Sequence, residues 1–355
     1  MLRTVPTDSR RAAEAYRRGL WAAETLADSL RAAARSTPDR EVLVDGPVRL
    51  DCRTLHDRSV ALAAAMLARV PAGSVVSFML PNWHEAAIVY HAATLAGMVV
   101  NPILPSLRDR ELGFILADAD VRMIFVPGEF GGHDYPAMLA RVTASIATPP
   151  QVVVVRGDAP AGQSALASLG GAEPADWPVL DPDAVRMILY TSGTTGRPKG
   201  VLHSHNSVHA LIRQIGAHWL VEPGDRFLVP SPIAHIGGSI YAFECPLLLG
   251  TTAVLMDRWD AERAVGLLLA ERCTHMAGAT TFLEQILAAA RGRDTRLPDL
   301  KVFICGGASV PPSLIRAAAG YFQCAVVTRV YGSTEVPVTT IGSPADPARA
   351  ADTDG

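Results

Sequence analysis

The sequence predicts an α/β fold of largely parallel sheets covered by helices on both faces. Three observations predict it. Short apolar runs alternate with longer stretches of helical periodicity. Several runs are apolar throughout, as strands buried on both faces require. Glycine and hydroxyl residues follow several predicted strand ends, where ligands bind in such sheets.

The elements follow in order. "TLADSL" opens a helix, with Thr25 as cap and Asp28 three residues on. "STPDR" breaks it. "SVVSFML" reads as a buried strand, and "NWHEAAIVYHAATLAG" as a helix ended by Gly97. "VVNPIL", "VRMIFV" and "QVVVV" are further strands. Residues 156–184 are rich in Ala, Gly, Pro and Asp, which marks a surface loop. The buried run "VRMIL" leads into "YTSGTTGRPKG", expected to join a strand to a helix. Beyond it, "RFLV", "TAVLM", "KVFICGG" and "AVVTRVYG" read as strands, and "AERAVGLLLAER" and "PPSLIRAAAGYF" as helices. Three strand-end loops, 191–200, 306–309 and 332–335, are expected to converge on one crevice.

Composition bounds the function. The 355 residues are 49% hydrophobic and 19% charged, which suits a globular chain of about two domains. The net charge of -3 gives no overall pull toward nucleic acid or an anionic membrane. The Arg-rich start "SRRAAEAYRRGL" also carries an acid and reads as a solvated helix face. Five separated cysteines without metal or redox spacing fit a reduced, cytosolic chain. No apolar run approaches a membrane span. Peripheral membrane contact stays open, because an apolar substrate could require it.

The loop "YTSGTTGRPKG" carries the most chemistry. Its glycines let backbone N–H groups turn toward an anion. Ser192, Thr194 and Thr195 add hydroxyl donors, and Lys199 adds a mobile charge. Together they suit a polyphosphate; the plain alternative is a solvated Gly/Thr turn. Lys199 and Lys301 are the only lysines among 32 basic side chains, which argues against surface filler. The loop is not a Walker A motif, because Pro198 precedes Lys199 and Gly200 follows it.

At this length the loop becomes specific. "YTSGTTGRPKGVLHSH" closely resembles the signature of the adenylate-forming superfamily, which includes acyl-CoA synthetases, luciferases and peptide-synthetase adenylation domains. Other segments agree in order: "LPNWHEAAIVYHAATLAGMVVNPILP", "PIAHIGG", "CGGASVPP" and "YGSTE". The resemblance spans about residues 22 to 345. It implies two mostly parallel sheets packed with helices in layers, as in the N-terminal domain of these enzymes. Residues 55–205 are expected to form a first α/β subdomain and 206–345 a second. The helix-containing segment 22–50 is expected to pack on the second, and 346–355 to be a tail.

The resemblance also implies roles. The carboxylate of an acid attacks the α-phosphate of ATP, and a thiol, usually coenzyme A, then takes the acyl group. Thr191, Ser192, Gly193, Thr194, Thr195, Gly196 and Lys199 match the triphosphate loop. Gly307 and Ala308 match the turn lining adenine, and Tyr331 with Gly332 the aromatic box against it. Thr334 matches the α-phosphate contact, and Glu335 the Mg²⁺ ligand. His235 matches the gate beside the reacting carboxylate. Gly237, Gly238, Tyr241 and Gly306 are expected to line the acyl pocket. Thr194, Lys199, His235, Thr334 and Glu335 carry the implied catalysis. His205 is expected to be structural.

Peptide-synthetase domains carry an Asp just after the gate, to pair with an α-amine. Here that place is Ile236, so an amine-free acid is expected: fatty, alicyclic, aromatic or sterol-derived. Family members continue into a third, barrel subdomain and a small C-terminal domain with a catalytic lysine. No lysine lies after Lys301. The chain is therefore expected to be a large domain that retains nucleotide and acyl recognition in part, without complete CoA ligation alone. The alternative is a non-catalytic module that binds nucleotide or acyl-adenylate.

Overall fold

The computed structural model describes residues 7–191, 197–342 and 347–352. The chain divides into two compact units: residues 1–40 with 51–210, and residues 41–50 with 211–355.

The first unit is built on a seven-stranded sheet. Its neighbours in order are Lys199–Ser204, Val185–Thr191, Val99–Pro102, Val75–Phe78, Val121–Pro127, Gln151–Val155 and Ser164–Ala165. All pair in parallel except Lys199–Ser204. The apolar runs form these strands because helices cover both faces. All four residues of Val75–Phe78 are buried. Helix Leu26–Ser36 starts on a capping box: Asp28 N–H donates to Thr25 Oγ1, and Thr25 N–H to Asp28 Oδ2. Helix His84–Leu95 is buried on nearly every side, which its apolar circumference requires. The chain leaves it at Gly97, φ +64°, where a Cβ would crowd Leu180 and Pro178.

The second unit holds an eight-stranded sheet. Its order is Thr340–Ile341, Val326–Tyr331, Val302–Gly306, His275–Gly278, Arg226–Val229, Thr252–Leu255, Glu41–Asp45 and Val48–Asp51. From Val326–Tyr331 to Glu41–Asp45 every pairing is parallel. Leu228, Val254, Met276, Phe303 and Val327 form one core face under helices Ala261–Ala270, Thr280–Gly292 and Pro312–Tyr321. Phe227 and His275 face the other side, where Phe227 stacks on Tyr241 at 5.1 Å.

Three expectations are corrected. The glycine- and hydroxyl-rich loop does not join a strand to a helix. It joins two antiparallel strands, with Thr191 opposite Lys199, and helix His205–His218 begins only after the second. Residues 22–50 do not pack as one piece on the second subdomain. Helix Leu26–Ser36 packs on helices Cys52–Leu67 and His84–Leu95 of the first unit. Only the hairpin after it joins the second sheet, where Glu41 and Glu271 alternate with Arg49 and Arg226 in a closed ring of ion pairs. The expected tail carries helix Pro347–Asp352: Ala351 is buried in the second core, and its carbonyl accepts from Arg329.

Candidate functional site

In the first unit, strand Val185–Thr191 runs parallel to its neighbour Val99–Pro102, so Thr191 leaves at the carboxyl edge of the sheet. Ser192, Gly193, Thr194, Thr195 and Gly196 lie outside the described residues. The structure begins again at Arg197, and Lys199 opens the returning strand. Thr191 is half-buried; Lys199 and Gly200 are exposed. A Cβ on Gly200 would sit 3.1 Å from Ile188 and 3.3 Å from Tyr190, so the cross-strand packing favours glycine. Among the described residues Lys199 makes no ion pair, whereas Lys301 is held by Asp225 at 2.8 Å and Glu222 at 3.1 Å. The two lysines thus differ in kind: Lys301 braces the second unit, and Lys199 faces solvent.

The strand behind the loop is fixed from within. The Asn101 amide donates to the Ile188 carbonyl, and its Oδ1 accepts from the Ser77 hydroxyl, both at 2.9 Å. Ser77 and Asn101 are fully buried. Asn101 lies in the segment "LPNWHEAAIVYHAATLAGMVVNPILP", for which the resemblance implies no residue role, and it ties three strands together just before the loop. His205, expected to be structural, is buried. Its buried Nδ1 accepts from Leu26 N–H at 3.1 Å. Burial, reinforced by Arg186 and His209, holds its pKa well below the usual imidazole value.

In the second unit, neighbouring parallel strands deliver the other motifs to one edge. Val302–Gly306 ends in Gly307 and Ala308, both exposed. Gly307 has φ +80° and open space where a Cβ would stand, so the turn itself calls for glycine. Gly306 is buried, and a Cβ there would meet Val330 Cγ1 at 2.5 Å. Thr280, which opens the helix after the adjacent strand, donates to Ser309 O at 2.9 Å and ties that helix start to the Gly307–Ser309 turn. Burial pushes the Cys305 thiol up to about 11, so it is an inert core group.

Val326–Tyr331 ends in the Tyr331–Glu335 box. Tyr331 is 64% exposed, an unusual position for a large ring. A Cβ on Gly332 would collide with the Pro337 carbonyl. The turn is braced by Ser333 N–H on Val336 O (3.0 Å) and Val336 N–H on Ser333 Oγ (3.3 Å). Thr334 is half-buried and Glu335 exposed.

Strand Arg226–Val229 leads to His235. Its ring caps the next helix: Nδ1 accepts from Gly237 N–H at 3.1 Å. An accepting Nδ1 leaves the proton on Nε2. The ring keeps exposed surface, yet crowding by protein lowers its pKa. His235 therefore presents a neutral N–H donor at pH 7. Of the glycine pair after it, Gly238 serves close packing: the Pro232 and Ser231 carbonyls would crowd a Cβ there, whereas a Cβ on Gly237 would make ordinary contact with the His235 ring at 3.4 Å. Tyr241 lies in the interior, between Phe227 and Trp219, and burial raises its pKa well above the usual phenol value.

No helix among the described residues is long and apolar enough to cross a membrane. The family model for AMP-binding enzymes matches residues 30–354. The chain is 31% identical over 358 residues to a medium-chain fatty-acid–CoA ligase of Escherichia coli, covering 99% of this chain and 63% of that protein. It is 28% identical to a sulfoacetate–CoA ligase of Cupriavidus necator, over 92% of this chain and 63% of that one. The inhibitor-bound N-terminal domain of FACL13 from Mycobacterium tuberculosis superposes with a TM-score of 0.79 at 27% identity, covering 94% of this chain and 82% of that domain. The chain thus spans less than two thirds of the length of these two curated relatives.

Proposed function

The chain belongs to the AMP-binding enzyme family, and from that premise we propose that it is the large domain of an ATP-dependent carboxylic acid–CoA ligase. It binds Mg²⁺-ATP and an amine-free carboxylic acid, and supports attack of the carboxylate on the α-phosphate to give acyl-AMP and pyrophosphate. The full-length protein then passes the acyl group to coenzyme A.

The observation that carries this reading is the carboxyl edge of the second sheet. Three parallel strands deliver His235, the Gly307–Ala308 turn and the Tyr331–Glu335 box to that edge. Each part has a task. Tyr331 offers an exposed ring face to adenine. Gly307 and Ala308 let the base approach the backbone. Glu335 is an exposed hard-oxygen donor, which suits Mg²⁺. When bound, the ion neutralises phosphate charge. Thr334 offers a hydroxyl to the α-phosphate. Lys199, which makes no ion pair among the described residues, takes the β- and γ-phosphates with the loop before it. His235 gives its Nε2–H to the reacting carboxylate without adding charge, which holds the anion but leaves it nucleophilic.

The acid is proposed to lack an amine because Ile236, the residue after His235, is apolar and buried. A fatty, alicyclic or aromatic acid meets no unpaired charge there.

A second reading has one supporting observation, the partial coverage of the relatives' length. On it, this chain binds nucleotide or acyl-adenylate without turning over. Acid-dependent pyrophosphate release from ATP and Mg²⁺ tests the first reading. Binding of an acyl-adenylate mimic without any release by the full-length protein would favour the second.

A further inference from the structure

We infer that Ser239 is a specificity-determining donor that selects acids carrying a hydrogen-bond acceptor about four bonds from the carboxyl carbon. The inference rests on the ligase reading above and names the substrate class more narrowly.

Ser239 sits one helical turn beyond His235, and its N–H donates to the His235 carbonyl at 2.9 Å. Helical side chains lean back toward the N-terminus, so the Ser239 hydroxyl leans toward the His235 end. Ser239 is fully buried, and its Oγ has no hydrogen-bond partner among the described residues. A buried serine hydroxyl in a helix usually turns to the carbonyl four residues back. Here that carbonyl already accepts from both Gly238 N–H and Ser239 N–H, each at 2.9 Å. The flanking Ile236, Ile240 and Tyr241 are buried and largely apolar. An orphan donor in such a place costs stability, and a ligand acceptor that meets it recovers the loss. A site built to bond a polar substrate group also rejects the analogue that lacks it.

Depth follows from helix pitch. One turn is about 5.4 Å, which about four carbon–carbon bonds of roughly 1.5 Å span in zigzag. A carboxylate held at His235 would thus carry C5 of its chain to the level of Ser239. A keto oxygen or ether oxygen at that point accepts from the hydroxyl; a plain alkyl chain leaves it unmet.

The test uses non-hydrolysable sulfamoyl-adenosine mimics bearing hexanoyl or 5-oxohexanoyl chains, titrated into the chain by calorimetry. The expected result is at least a tenfold preference for the 5-oxo mimic. Ser239→Ala should shrink that ratio below about threefold and raise the melting temperature of the ligand-free protein, because an orphan hydroxyl is removed. A wild-type ratio near one overturns the inference and leaves the ligase reading standing. An unchanged ratio in Ser239→Ala, or a lowered melting temperature, also overturns it. Failure of every mimic to bind overturns both readings together.

Discussion

Replacing Asn101 with leucine tests how the strand behind the phosphate loop is held. Leucine keeps the branched four-atom side chain but is bulkier, so the change removes polar atoms and opens no space. It strands two buried groups: the Ile188 carbonyl loses its amide donor, and the Ser77 hydroxyl its acceptor, each bond 2.9 Å in the native chain. Each buried orphan costs about 1–3 kcal/mol. The added apolar surface returns roughly 1–2 kcal/mol. The net expected loss is about 3 kcal/mol. Urea unfolding of the first unit, followed by circular dichroism, should show it. With m of about 3 kcal/mol/M, the midpoint falls by about 1 M. Adding Ser77→Ala removes one orphan and should recover about 1 kcal/mol. A midpoint shift below about 0.2 M at unchanged m would refute the reasoning. So would a double variant no more stable than the single one.

Four further outcomes are expected. Lys199→Ala and Glu335→Ala should each abolish Mg²⁺-ATP-dependent pyrophosphate release in the full-length protein. Both side chains are exposed, so stability should change by less than about 0.5 kcal/mol; normal release from either variant would remove its assigned role. His235→Ala should alter acid selectivity or rate more than ATP affinity, and a change in ATP affinity alone would contradict its place at the carboxylate. Gly307→Ala should cost only about 1 kcal/mol, for its left-handed φ. Gly306→Ala should cost more, because its Cβ must displace Val330; thermal melts in the reverse order would contradict this. For pH, burial lowers the pKa of His205 and His275 from 6.5. A depressed histidine pKa favours the neutral form in the fold. Their contribution is therefore full above pH 6.5 and lost as pH falls through the depressed values. Melting temperature should fall on acidification below 6.5, and less steeply in His275→Asn.

Much of the fold was legible because tertiary and local signals agree. "VRMIL" and "QVVVV" are mostly apolar runs, and both form largely buried strands. "KGVLHS" misled because its first two residues continue a glycine-rich loop, and its pairing with Val185–Thr191 is what makes it a strand. The hairpin Glu41–Asp51 had a readable signal, Asp45-Gly46 between alternating residues, and Gly46 has φ +56°. Its partner was not readable, because Leu43 pairs with Ala253, far along the chain. In the candidate site, motif residues could be named from sequence, but their surroundings could not. The proton on His235 Nε2 depends on one backbone N–H from Gly237. The orphan hydroxyl of Ser239 depends on a carbonyl already shared by two donors. Asn101 lies in a segment quoted for its resemblance, but its bonds to Ser77 and Ile188 cross strands and could not be read from that segment.

The most direct measurement is calorimetric titration of this chain with ATP plus Mg²⁺ and with a non-hydrolysable acyl-adenylate mimic, beside Lys199→Ala. Binding of both ligands, with ATP clearly weakened in the variant, is the predicted result. No binding of either, or equal ATP affinity in the two proteins, would contradict the proposed nucleotide site.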